Sequence, residues 1–308
     1  MKISVKSLLD DCGINHGFIY DLEHKNSAPS IDKINKIANY LNCSVDYLLG
    51  RVDNPHSEIP VALSAPQGYE NLTDEHLCCI IRSKKSHPGI DAKRQWLSER
   101  LSEGHIFRKL NAKSTVFIEY APLETAWVPI IGNNYYYLYC LWVLGSSKGK
   151  GYGQSLMEYC LADAKEKGKS GVCMLGAKKQ KSWLSDQTFA KKFGFEVVDT
   201  TDNGYELLAL SFDGTTPKFA PNAKKLEIEN KELTIYHDMQ CPYIYQYIDI
   251  IKQFCETNDV PVSFVQVDTL QKAKELPCVF NNFAVFYKGV FETVNLTNTD
   301  YLKRILKK

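Results

Sequence analysis

The chain has 308 residues, 44% of them hydrophobic and 24% charged, with 37 Lys and Arg against 36 Asp and Glu for a net charge of +1. That length predicts two domains or three small ones, and so even a charge promises neither a basic nucleic-acid footprint nor an acidic tail. No apolar run approaches the roughly 20 residues of a membrane helix, and the ten cysteines follow a start, Met1-Lys2-Ile3-Ser4, that leads into a polar helix and not a signal peptide, so reduced thiols in the cytoplasm are expected.

Residues 4–50 read as four short helices. Ser4, Asn15, Ser30 and Ser44 stand where N-caps belong, and Gly13 and Gly50 stand where helices end. Val5, Leu8, Leu9 and Cys12, then Phe18, Ile19 and Leu22, then Ile34, Ile37, Ala38 and Leu41, give each helix an inward face. The tight Gly13-Ile14-Asn15 turn between the first two makes a helix-turn-helix shape. Residues 1–51 resemble an all-α Cro/C1-type (XRE-like) DNA-binding domain. The resemblance implies that the helix near Asn15 enters the major groove, with His16, Gly17 and Tyr20 toward base edges and Lys6, Lys25 and Asn26 toward phosphates. Six Lys and Arg against six Asp and Glu in this segment keep the non-specific electrostatic term small. DNA binding through residues 4–50 therefore stands beside a helical appendage that is either merely retained or makes a homodimer.

Residues 52–68, with three prolines and no periodicity, read as a linker. Residues 69–213 mix helix and strand: a strand-like run at 77–81, a helix over 90–103, strands at 106–110 and 115–120, and a continuation of the second through a turn over 126–131. An aromatic strand at 135–144 leads to the loop Lys148-Gly149-Lys150-Gly151-Tyr152-Gly153, then a helix over 155–167 stopped by Gly168. A strand at 171–175, a short helix over 186–193, Gly194-Phe195 and strands near 196–198 and 205–212 complete the region.

Glycines let successive backbone N–H groups of the loop converge on one point, the helix after it adds partial positive charge, and Lys148 and Lys150 add full charges, so the loop attracts phosphate. It is neither a Walker A loop nor a Rossmann turn. Its basic-x-x-Gly-x-Gly spacing and the order of elements around it resemble the GCN5-related N-acetyltransferases (GNAT), an α/β fold; Lys148 stands where Gln or Arg is usual. The resemblance implies acetyl-CoA as co-substrate, its pyrophosphate on N–H groups from Gly149 to Ser155, including Lys150, Tyr152 and Gln154. It also implies a bulge in the preceding strand, where the backbone of Leu141, Trp142 and Val143 meets the pantetheine arm. A Tyr that many relatives use to protonate the departing thiolate is replaced by Ala190. Tyr139, Cys173 and Ser185 are the substitutes, or the thiolate leaves unaided. Glu119 is the candidate base, direct or through water, against a solvated surface carboxylate; Tyr135, Tyr136, Tyr137 and Tyr139 line an acceptor cleft or simply pack.

Residues 214–225 read as a second linker. Residues 226–308 follow the order β-α-β-α-β-β-α, with Cys241-Pro242 at a helix start and Pro277 before a strand. They resemble thioredoxin and, beside an acetyltransferase, the YoaP-like C-terminal domain. Ile244 occupies the second cysteine position of a C-x-x-C pair, which argues against dithiol reduction. A cis Pro277 would bring Cys278 near Cys241 as a regulatory pair or soft-metal site; the alternative is a redox-dead fold kept for binding. The leading expectation is acetyl transfer to an amine of a small molecule or peptide. The competing ones are a DNA-binding regulator whose GNAT domain senses a metabolite, and a thiol-redox module.

Overall fold

The computed structural model describes residues 4–25, 29–41, 43–49, 63–64, 77, 87–110 and 115–308. The chain divides into two compact units, Met1–Ala62 and Leu63–Lys308. In the first, α1 (Val5–Asp11), α2 (Gly17–His24), α3 (Ile31–Leu41) and α4 (Val45–Leu48) occupy the four expected stretches, with His16 rather than Asn15 at the N-cap position of α2 and Gly50 outside the described residues. Ser4 Oγ accepts the Ser7 N–H and Ser44 Oγ accepts the Tyr47 N–H, each at 3.1 Å, while Asn15 Oδ1 accepts the Gly17 N–H at 2.7 Å. Leu9, Ile14 and Phe18 are buried together as its core.

The second unit begins with β1 (Leu63–Ser64), inside the stretch read as a linker, whose remainder lies outside the described residues. Of the strand expected at 77–81 only Leu77 is described; it is buried and not in a strand. Then come α5 (Pro88–Leu101), β2 (Ile106–Leu110), β3 (Val116–Pro122), β4 (Ile130–Ile131), β5 (Tyr135–Val143), α6 (Tyr152–Glu166), β6 (Gly171–Ala177), α7 (Gln187–Lys191), β7 (Glu196–Thr200) and β8 (Tyr205–Ser211). Their seven-stranded sheet has the order β1-β2-β3-β5-β6-β8-β7, mixed because β5 and β6 alone among its paired neighbours run parallel. Residues 126–131 do not extend β3: Ile130 and Ile131 pair with Phe219 and Lys218 of β9 (Lys218–Phe219). The second stretch read as a linker is thereby built into the fold, with Phe219 and Ala223 buried and Asn222 Nδ2 donating to the carbonyls of Lys274 and Leu276.

The C-terminal elements are β10 (Leu233–His237), α8 (Pro242–Thr257), β11 (Val262–Gln266), α9 (Leu270–Lys274), β12 (Phe283–Tyr287), β13 (Val290–Thr293) and α10 (Thr299–Leu306). They form a mixed sheet of order β11-β10-β12-β13, with helices. Helix α5 packs against α8 so closely that a Cβ added to Gly89 would run into the Pro242 carbonyl oxygen. Gly89→Ala should therefore cost about 1–3 kcal/mol, the range for forced overpacking, measured as a lowered urea midpoint of the full chain.

Candidate active site

The site begins with a register shift. In the β3–β5 ladder Glu119 faces Cys140 and Tyr120 faces Leu138, so Tyr139 is one residue too many and the strand bulges there. On its other side β5 pairs with β6 only from Tyr135 to Tyr137, against Gly171 to Cys173. Beyond that point the two part, while β6 runs on to Ala177 with β8 beside it throughout. The parting opens a cavity of about 660 Å³, with Leu141, Trp142 and Val143 in its wall.

At the cavity's edge lies the glycine loop. Gly149 and Gly151 have φ of +75° and +77°, where a Cβ is strained. A Cβ added to either would meet nothing within 4 Å, so the space over the loop is open. Gly151 caps α6, which starts three residues before the expected Ser155. The Ser155 N–H consequently bonds the Gly151 carbonyl at 3.0 Å inside the helix, which removes it from the expected pyrophosphate donors. The Gln154 side chain is held by Glu158 at 2.8 Å. Lys148 and Gly153 line the cavity, Lys150 is exposed and Tyr152 half-buried.

Glu119 is not a solvated carboxylate. It is 2% exposed and paired with Lys93, itself 1% exposed; it also meets His105 Nε2 at 2.9 Å and accepts from Gln240 Nε2 at 2.7 Å. Burial pushes its pKa up, but Lys93 and His105 more than offset this and hold it below the ordinary value. With both oxygens engaged and the charge compensated, Glu119 is a poor base although it lines the cavity. His105 is lowered, chiefly by burial, which outweighs Glu119. Gln240 in turn accepts from Asn282 Nδ2 at 2.6 Å. The cavity is thus closed on one side by the C-terminal elements, whose Gln240, Cys241, Pro242, Asn281 and Asn282 line it. The sequence singles out only Cys241-Pro242 of these; no local pattern marks Gln240, Asn281 or Asn282.

Of the substitutes for the absent Tyr, Tyr139 and Ser185 line the cavity together with Ala190, whereas Cys173 is wholly buried in the apolar core, its thiol pushed up by that burial. Tyr139 accepts the Trp127 N–H at 2.6 Å, and burial holds its phenol well above the usual value. Tyr135, Tyr136 and Tyr137 are buried packing residues outside the lining. Cys241 caps α8 at the cavity wall, while Cys278 is buried in the larger core, its thiol raised by burial. No peptide bond among the described residues is cis, so Pro277 does not supply the geometry expected to join the two thiols. In the first unit His16 Nε2 and Lys25 Nζ are paired with Asp10 and Asp21, each at 2.7 Å. Gly17 is exposed, and Tyr20, 58% exposed, stacks on His24 with centroids 4.3 Å apart. Asn26 lies outside the described residues.

Comparison with known proteins gives three family matches: the Cro/C1-type HTH DNA-binding domain at residues 1–54, the Acetyltransferase (GNAT) family at 69–195, and YoaP-like at 261–304. The "Uncharacterized N-acetyltransferase YoaP" of Bacillus subtilis (strain 168) is 33% identical over 239 residues, covering 77% of this chain and 95% of that protein. Similar solved structures include a GNAT-family acetyltransferase from Desulfovibrio desulfuricans, 15% identical over 40% of this chain and 80% of that one, TM-score 0.33. Another, from Brucella melitensis and in complex with acetyl-CoA, is 17% identical over 41% of this chain and 72% of that one, TM-score 0.28. No helix among the described residues is long and apolar enough to cross a membrane.

Proposed function

Because the chain belongs to the YoaP family of GNAT N-acetyltransferases, we propose that it transfers the acetyl group of acetyl-CoA to an amine by direct attack. The observation that carries this is the parting of β5 from β6 at the Tyr139 bulge, with the open glycine loop at its edge. A strand edge without its neighbour suits a ligand arm that brings amides of its own, as pantetheine does. The loop N–H groups at Gly149, Lys150, Gly151, Tyr152 and Gly153, with Lys148, suit its pyrophosphate. Leu141, Trp142 and Val143 would flank the arm. The amine lone pair attacks the thioester carbonyl carbon, the C–N bond forms, the C–S bond breaks with its electrons going to sulfur, and the surplus nitrogen proton leaves to water. Tyr139, with its oxygen accepting from Trp127, has its own proton to offer the departing sulfur as a hydrogen bond. Glu119 anchors the site electrostatically and does not serve as base.

Gly151→Trp tests the reading. Losing two charge-assisted bonds at about 1.5–3 kcal/mol each should weaken acetyl-CoA binding about a hundredfold or more. Calorimetry on wild type and variant measures it; equal affinity, or a wild type that binds no acetyl-CoA, rejects the site.

For the first unit the Cro/C1-type match and the exposed Tyr20 on α2 favour DNA as partner. Duplex binding that falls as salt rises, and falls again in Tyr20→Ala, is the expected result; salt-independent or absent binding rejects it.

A further inference from the structure

The acetyl-transfer reading leaves the acceptor open, and the cavity wall built by the C-terminal elements narrows it. At the bulge, where the reacting carbonyl would lie, Glu119 faces Cys140 across the ladder and Gln240 reaches Glu119 from the other side. The charged side chains in the lining, among the described residues, are Glu119, Lys148 and Asp186. Lys93 neutralises Glu119 from behind, Asp186 is engaged with the N–H groups of Thr188 and Phe189 at 2.8 and 3.4 Å, and Lys148 belongs to the proposed pyrophosphate loop. Among the described residues no buried carboxylate of the lining is left uncompensated to offset a second or third positive charge, Asp186 being exposed, and burying an unpaired ammonium is costly.

What the wall offers is apolar surface and amide oxygens. Trp183, Val294 and Leu296 line it, Trp183 stacked on Tyr243 with centroids 5.4 Å apart. Asn281 donates its amide N–H to the Trp183 carbonyl at 2.8 Å, and Asn282 donates to Gln240 at 2.6 Å. Both Oδ1 atoms have no partner among the described residues, and both residues line the cavity. Carbonyl acceptors receive the N–H bonds of a neutral amine, the form that attacks, without the charge that would hold the ammonium.

We infer that the acceptor is a monoamine on an uncharged, mainly apolar body, seated against Trp183, Val294 and Leu296, with its amine hydrogens on Asn281 and Asn282. This rests on the acetyl-transfer reading and assigns acceptor choice to the C-terminal elements together with Trp183 of the segment between β6 and α7. The test is steady-state acetylation of 2-phenylethylamine and n-hexylamine against spermidine, kanamycin and glycine by the full chain, with acetyl-CoA affinity measured separately by calorimetry. The expected kcat/KM for the two apolar monoamines exceeds that for the others by about tenfold or more. Asn281→Ala and Asn282→Gly, the latter chosen because φ is +64° there, should raise KM for 2-phenylethylamine about tenfold with acetyl-CoA affinity unchanged, which also shows that the variants fold. Acetyl-CoA binding with spermidine, kanamycin or glycine preferred, or with neither apolar monoamine turned over, overturns the inference while leaving the coenzyme site standing. Failure to bind acetyl-CoA overturns both.

Discussion

Lys93→Met should destabilise the Leu63–Lys308 unit by about 3–5 kcal/mol, the cost of leaving one member of a buried ion pair alone. Lys93 and Glu119 are 1% and 2% exposed, and the Lys93 ammonium also lies 5.0 Å from the centre of the Trp96 ring. Without it, Glu119 keeps only His105 and Gln240, and His105 is itself disfavoured as a cation by burial. The double variant Lys93→Met with Glu119→Gln removes the stranded charge while Gln still offers a carbonyl oxygen to Gln240. It should therefore be more stable than Lys93→Met alone, because replacing a buried pair by neutral groups costs far less than breaking it. Urea unfolding of wild type, both single variants and the double variant completes the cycle. A loss under about 1 kcal/mol for Lys93→Met, the size expected of a solvated pair, would show that the cluster is wet and would remove Glu119 as the anchor of the site.

That cluster also marks the limit of what the chain reveals before folding. The loop was legible because glycine spacing between a strand and a helix is local, and the helix caps at Ser4 and Ser44 were legible for the same reason. The Tyr139 bulge was not visible in the residues themselves: it is a relation between β3 and β5, and only the resemblance pointed to one. Glu119 read as a candidate base or a solvated carboxylate, and its buried ion pair was hidden because its partners stand 26 residues before it and 121 after it, in segments with patterns of their own. The same physics misled the reading of residues 214–225. Pro, Gly and Thr announce a loop, but β9 and the buried Phe219 tie that loop into the fold through contacts that composition does not record. Helix α6 was placed three residues late because Tyr152-Gly153-Gln154 lacks the propensity of a helix start, and the positive φ of Gly151 supplied the boundary instead.

Two adjacent buried groups beside the cluster should give a pH response that a single substitution exposes. Burial pushes Asp238 from its ordinary 3.8 up to about 7, against the smaller opposing pull of the Gln240 N–H and Lys93. Burial lowers His237 from 6.5 to about 4, and its Nδ1 has no partner among the described residues. Between 3.8 and about 7 the folded state holds an Asp238 proton that the unfolded chain has released, so this stabilisation is complete below 3.8 and is lost as pH rises through 7. His237 works the other way: between about 4 and 6.5 the unfolded chain binds a proton that the folded state excludes, so its contribution is complete above 6.5 and is lost as pH falls through 4. The two slopes oppose each other over nearly the same window, and their sum in the wild type is small. Asp238→Asn keeps an oxygen for the Gln240 N–H, which Asp238 now accepts at 3.0 Å, and removes only the titration. Its stability should climb by about 3 kcal/mol from pH 4 to 6.5, at roughly 1.4 kcal/mol per pKa unit, whereas His237→Gln should lose a similar amount as pH rises across that range and on to 7. Urea midpoints at half-unit pH steps for wild type and both variants measure this, and curves that run parallel to the wild type at a constant offset would show that neither group titrates in the fold.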